Sequence, residues 1–289
     1  MTRVAVPCAN DLGESPVWCW RTGRLYWTNI RAKTIHVLSP DTGETWTIDA
    51  PEFVAAIGLH KDGGLITGML STIARCAPDS GEFETLAEVE PTSLGNRGND
   101  GRVDRDGRFW FGTMSNTQRT PEGALYLYDG TVLEKIRSDI IVPNALCWSP
   151  GATTMYFADS WVGEIEIWSR ARASDPYVVS GMLLQKGQLP GIPDGAIVDS
   201  EGFLWNARYG GGCVARINPN GDVVQTIELP TRQVTSCALG GEDLKTLYVT
   251  SATQRMSEEQ RQAEPDAGAL FAIDVDVPGL PEPEFLPER

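Results

Sequence analysis

Histidine is almost missing from this chain: among 289 residues only His36 and His60 carry an imidazole. That scarcity disfavours both a Ser-His-Asp triad and a histidine-rich zinc centre, since each needs an imidazole beside specific partners. The six cysteines lie far apart, at 8, 19, 76, 147, 213 and 237, with no C-x-x-C pair. They read as reduced core thiols, not as a zinc knuckle or a disulfide framework. No apolar run approaches the roughly 18 to 20 residues of a membrane-spanning helix. The first residues are too short and polar-interrupted for a secretory leader, so the expected location is the cytoplasm. Basic stretches are absent as well: 24 Lys and Arg face 39 Asp and Glu, a net charge of −15. Nucleic acid and anionic membranes are thereby disfavoured as partners, while a metal cation or a neutral small molecule is not. Helical periodicity is nearly lacking; the one helix expected is a turn or two over 257–263, capped by Ser257.

What the chain has instead is glycine (30) and proline (19), separating short stretches rich in Val, Ile, Thr and aromatics. That is the composition of many short strands joined by tight turns. A turn followed by an aromatic or apolar strand recurs with anchors at Leu25, Leu65, Phe109, Met155, Leu204 and Leu247, in steps of 40, 44, 46, 49 and 43 residues. After each anchor comes a second strand-turn-strand signature, clearest in Ile35–Glu44, Ile73–Glu82 and Val214–Asp222. Six units of four strands each predict an all-β chain, a six-bladed β-propeller occupying 1–289 as a single domain. The residues before Asp11 are expected to close the ring by pairing with the last blade, with Phe285-Leu286 as the alternative closing segment.

In a propeller the first strand of each blade lies innermost, so equivalent positions at its start converge on the axis. Counting back ten or eleven residues from the anchors reaches Glu14, Asn99, Asn144 and Asp194 in four blades, and Val54 or Ala55 and Ser236 or Cys237 in the other two. Each of these residues, taken alone, is as well explained by turn formation. Four at one blade phase are better explained by an oxygen-ligated divalent cation, because two carboxylates gathered without a lysine beside them repel and desolvate badly.

The same residues carry a family resemblance. L-G-E-S-P-V-W at 12–18, R-G-N-D-G-R-V-D at 97–104, F-G-T-M at 111–114, V-P-N-A-L at 142–146 and P-D-G-A-I-V-D at 193–199 resemble the gluconolactonase/regucalcin (senescence marker protein) family of sugar lactonases. The resemblance spans essentially the whole chain. It implies one divalent ion held by Glu14, Asn144 and Asp194, with Arg97 and Asn99 contacting the substrate. One departure is Ala145, where the family usually shows Gly; the change is expected to cost little if the backbone there is extended. A second lies after Met114, where 115–118 lacks an acidic residue that some relatives turn toward substrate.

The expected activity is metal-dependent hydrolysis of an aldono-1,4- or 1,5-lactone to the aldonate, a carboxylic-ester hydrolysis in oxidative sugar breakdown. The ion is one of Ca²⁺, Mg²⁺, Mn²⁺, Zn²⁺ or Fe²⁺. Asp194 is the expected base as well as a ligand, roles that conflict unless one carboxylate oxygen stays free; a hydroxide on the ion is the competing base. Loops at the metal end should carry Arg97, Asn116, Arg119, Trp161, Arg208 and Tyr209. Of these Arg97, Tyr209 and Trp161, with Asn99, are the expected substrate contacts, and Tyr209-Gly210-Gly211-Gly212 a wide loop over the pocket. The partner expected is a small sugar lactone, the chain itself a monomer or weak homo-oligomer. The rival readings are an aryl-lactone or organophosphate-ester hydrolase on the same metal, and a non-catalytic calcium-binding propeller.

Overall fold

The computed structural model describes residues 2–116 and 120–287. Within them, turns built on left-handed glycines such as Gly23, Gly43, Gly81, Gly107 and Gly202 separate short antiparallel strands. The chain is nearly all-β, with six four-stranded blades forming a six-bladed propeller. Blade 1 is Gly13–Cys19, Arg24–Asn29, Thr34–Ser39 and Glu44–Asp49. Blade 2 runs from Val54–His60 to Glu82–Glu88, blade 3 from Asn96–Val103 to Leu133–Ile140, blade 4 from Pro143–Trp148 to Val178–Leu184 and blade 5 from Ile192–Val198 to Val223–Glu228. Blade 6 has Val234–Gly240, Thr246–Ser251 and Leu270–Asp274, and its fourth strand is Thr2–Val6 from the start of the chain. The N-terminal segment therefore closes the ring. Glu284–Phe285 lies elsewhere, as a short parallel addition to the inner strand of blade 2, with Phe285 buried against Tyr128 and His60.

Apolar side chains from facing sheets fill the spaces between blades, which is why the inner strands are buried on both faces. Phe111 shows the tolerance: a Cβ placed on Gly68 or on Gly98 would stand 2.2 Å from its ring. Trp110 and Trp148 pack with centroids 6.0 Å apart between blades 3 and 4. The two histidines are structural. His36 stacks on Trp27 at 5.0 Å, and burial brings its pKa down to about 4.

All six inner strands slip register near their start, between Glu14 and Val17, Val54 and Ala56, Gly98 and Gly101, Asn144 and Cys147, Pro193 and Ala196, and Val234 and Ser236. A bulge of this kind re-aims the side chains beside it. In blades 1 and 4 it puts Ser15 (φ 49°) and Ala145 (φ 59°) into the left-handed region. The backbone at Ala145 is thus not extended, so the condition for a small cost is not met, and alanine bears a left-handed penalty of about 1 to 2 kcal/mol that glycine escapes. The predicted short helix is present as Glu258–Ala263, with Ser257 and Gln260 forming a reciprocal capping box.

Two blade turns repeat one polar device. Asp104 and Asp199 are fully buried, and one oxygen of each accepts the backbone N–H groups two and four residues on, from Asp106 and Arg108 and from Glu201 and Phe203. The other oxygen accepts the indole N–H six residues on, Trp110 or Trp205, at 2.9 Å, and an arginine Nε, from Arg108 or Arg216. Asp199→Ala leaves two backbone N–H groups, the Trp205 indole N–H and the Arg216 Nε without their acceptor, although Arg216 keeps its pairing with Glu201. The expected loss is about 3 to 5 kcal/mol in denaturant unfolding; a loss below about 1 kcal/mol would show that this turn does not depend on its carboxylate.

Candidate metal and substrate site

The bulges and the loops joining second to third strands meet at one end of the channel. They enclose a cavity of about 110 Å³ lined by Leu12, Glu14, Arg97, Asn99, Val142, Asn144, Ser160, Trp161, Ile192, Asp194, Tyr209, Gln254 and Arg255. All seven residues singled out from the sequence line it: Glu14, Asn144 and Asp194, then Arg97, Asn99, Trp161 and Tyr209.

Hydrogen bonds between neighbouring blades fix the amides. The Ser160 hydroxyl gives its proton to the Pro193 carbonyl at 2.6 Å, so toward Asn144 it can only accept, and it takes Nδ2 at 2.8 Å. That leaves Asn144 Oδ1 turned away from Ser160, where it accepts a long bond from Asn99 Nδ2 at 3.4 Å and keeps a second lone pair. Asn99 spends its Nδ2 mainly on the Pro143 carbonyl, at 2.9 Å. Asn206 Nδ2 holds the Asp194 carbonyl at 2.9 Å, anchoring the bulge that carries that carboxylate.

The carboxylates are not at ease. Burial, and next the charge of Asp100, push the Glu14 pKa up to about 8, against which the Ser15 N–H and Arg97 act only in part. Asp194 is driven well above the ordinary carboxylate range by burial, Glu14 and Asp100. Asp100 was not anticipated. Its Oδ1 accepts from its neighbour Gly101 N–H and its Oδ2 from Leu146 N–H at 3.3 Å in the next blade. It therefore braces the bulge of blade 4 while adding negative charge beneath the cavity. Ser15 Oγ plays the matching part between blades 1 and 2, accepting from Ile57 N–H at 2.8 Å. Arg97, 4% exposed, spends one donor on the Gly98 carbonyl, and burial brings its pKa down to about 10.

Several loop expectations are corrected. Arg208 does not line the cavity; it is fully buried and bonds the carbonyls of Pro190 and Gly191 and the Asn206 amide, bracing the chain ahead of blade 5. Asn116 is exposed and bonds the Gly95 carbonyl. The three glycines after Tyr209 form a tight turn, not a wide loop: Gly211 N–H returns to the Arg208 carbonyl, and Cys213 resumes the sheet. Arg119 lies outside the described residues. Ser160, Gln254 and Arg255 were missed, although each sits at the loop phase that brought Trp161 and Tyr209 into view.

The donor set fits a hard divalent cation. It offers two carboxylates and an amide oxygen, all oxygen, all from bulge positions, with both acids destabilised as anions by their surroundings. No group of three or more His, Cys, Asp or Glu side chains is placed for metal binding among the described residues, so the amide is part of the set or there is no such site.

Without a cation the pair should retain protons at neutral pH. Glu14, near 4.5 when unfolded and about 8 when folded, binds a proton in the native state that the unfolded state has released. Stability of the chelator-treated protein is therefore expected to fall as pH rises from about 4.5 to about 8 and to level off above. Thermal melts across that range check this, and melting temperatures that climb with pH through it would contradict the crowding.

The comparisons with known proteins agree with the geometry. The family model described as SMP-30/Gluconolactonase/LRE-like region matches residues 12–253. A 6-deoxy-6-sulfogluconolactonase from Pseudomonas putida is 37% identical over 275 residues, covering 95% of this chain and 94% of that one. A regucalcin from Xenopus laevis is 34% identical, covering 94% of this chain and 95% of its own. The crystal structure of a calcium-binding protein, regucalcin, from Agrobacterium tumefaciens superposes with a TM-score of 0.91 at 29% identity, covering 99% of this chain and 97% of that one. With a propeller, a five-motif pattern and a matched region that runs from the first blade into the sixth, the chain belongs to the SMP-30/gluconolactonase/LRE-like family.

Proposed function

We propose that the protein hydrolyses a sugar-acid lactone in this cavity, with one divalent cation held by Glu14, Asn144 and Asp194. The observation that carries the reading is two carboxylates crowded on the axis, Asp194 buried and Glu14 partly so, beside the Asn144 amide oxygen that Ser160 turns away from itself. The relatives support it, one being named a lactonase and another a calcium-binding protein. When bound, the cation polarises the ester carbonyl and favours ionisation of water.

The chain's own residues do the rest. Asp194 takes a proton from the attacking water, whose oxygen bonds to the ring carbonyl carbon. The bond between that carbon and the ring oxygen then breaks, and the ring oxygen leaves as a hydroxyl after regaining a proton. The products are an aldonate and one net proton. Asn99, with its Nδ2 committed to Pro143, offers Oδ1 to a substrate hydroxyl, and the remaining Arg97 donors face a polyol ring. Tyr209, its phenol pushed up to about 12 chiefly by burial, stays protonated and donates. Trp161, half exposed at 52%, supplies an apolar edge at the mouth.

Proton release from aldono-1,4- and 1,5-lactones should be abolished by chelator and restored by one or more of Ca²⁺, Mg²⁺, Mn²⁺, Zn²⁺ and Fe²⁺. Asp194→Asn should lower kcat by roughly 10² to 10⁴-fold with an unchanged circular dichroism spectrum. Turnover indifferent to chelator, or unharmed in that variant, would reject the mechanism. Ser160→Ala, which frees the Asn144 amide to turn over, is expected to weaken cation binding roughly 10 to 100-fold by calorimetry. An unchanged Kd would mean that Ser160 does not orient the ligand.

A further inference from the structure

The mouth of the cavity is cationic in a chain whose net charge is −15. Arg97 and Arg255 both line it, and Arg31 stands behind, its Nε 3.3 Å from Gln254 Oε1 and 3.8 Å from Asp11. Arg31 is thereby matched by a carboxylate. Arg255 is not: it is exposed at the rim and has no ion-pair or hydrogen-bond partner among the described residues.

Its backbone makes that bareness informative. Met256 N–H bonds the Thr253 carbonyl, closing a turn whose central residues are Gln254 and Arg255, and Arg255 takes φ 59° there. That corner favours Gly or Asn, and an arginine is strained there. The turn is also held firmly. Gln254 N–H bonds the Asp11 carbonyl, and Arg261, on the short helix of the same loop, bonds the Thr253 carbonyl at 3.0 Å. A strained residue on a braced corner, lining the cavity and given no partner by the described residues, points to a partner from outside.

Neutral hydroxyls do not call for it. If the cation occupies the axial carboxylates, their charge is spent, and the guanidiniums of Arg97 and Arg255 remain as net positive charge facing the substrate. Arg31 and Arg255 each depress the Arg97 pKa, so these like charges are close enough to feel one another.

We infer that the lactone taken by this site bears an anionic substituent, a carboxylate, sulfonate or phosphate, on the end remote from its ring carbonyl, and that Arg255 receives it with Arg97 behind. This rests on the lactonase reading above. Guanidinium matches each of these oxyanions through charge-assisted, often paired hydrogen bonds, and a local positive mouth draws an anion into an otherwise repelling protein.

The test uses the full chain loaded with its most activating cation and compares a neutral glucono-lactone with the same ring bearing a terminal carboxylate, sulfonate or phosphate, at low and high salt. At least one charged lactone is expected to exceed the neutral one in kcat/KM by about tenfold or more, mainly through KM, with the advantage shrinking as salt rises. Arg255→Asn, which suits the left-handed corner, should bring the charged-to-neutral ratio down about tenfold, while Arg255→Lys retains part of it. The substrate that loses most identifies the anion. A neutral lactone turned over as well as every charged one, a preference indifferent to salt, or a ratio unmoved in Arg255→Asn would overturn the inference and leave the lactonase reading standing. If the folded, loaded protein turns over none of the four, the lactonase reading fails first and takes this one with it.

Discussion

Glu14 and Asp194 line one cavity whose surroundings disfavour ionising both, and the scaffold of the molecule keeps them there. Left to itself, such a pair would take up protons or move apart. The surrounding scaffold prevents separation: each carboxylate is carried by the inner strand of its own blade, and the ring is closed by the N-terminal strand in blade 6. The strain of like charges is thus held by a large shared core, and a site that is unstable alone is tolerated because its removal would require a ring of packed sheets to open.

The bulge is the local device behind that arrangement. A regular strand alternates its side chains between two faces and would bury one set between blades. Slipping the register near the start of each inner strand turns one side chain toward the axis, and in four blades that side chain is Glu14, Asn99, Asn144 or Asp194. Ser15 and Ala145 take left-handed backbone for the purpose, and Ser15 Oγ and the Asp100 carboxylate tie the bulges to the next blade. The site is therefore built out of inter-blade contacts, so that orientation of the Asn144 amide depends on Ser160 and, through it, on the Pro193 carbonyl of the adjoining blade.

A repeat of about 45 residues is legible in a linear sequence because turn chemistry and strand period are local, and once the repeat is in hand the axial phase follows by counting. That route reached Glu14, Asn99, Asn144 and Asp194, while Arg97 came from the family resemblance and Trp161 and Tyr209 from the loops at the same end. It failed where the answer depended on side-chain direction. Arg208 and Tyr209 are neighbours in one strand, and alternation sends Tyr209 to the cavity and Arg208 into a buried network with Pro190, Gly191 and Asn206. Asp100 was overlooked for the same reason: it follows Asn99 in the sequence, and only the bulge brings both toward one end of the channel. The cost of Ala145 stayed open in the sequence because left-handed backbone in a non-glycine residue leaves no mark in composition or period.

By itself the sequence determined the blade number, the near absence of helix, the exclusion of histidine-based chemistry and the positions able to reach the axis, since all of these follow from short-range turn signals and a countable period. The tertiary structure alone decided which of the two candidate segments closes the ring, which half of each amide faces the cavity, the direction in which the carboxylates are driven from their ordinary pKa, and that Arg255 stands at the mouth without a partner among the described residues. Those properties come from contacts between segments distant in the chain, where burial, charge and hydrogen-bond direction are set by neighbours that no local pattern names.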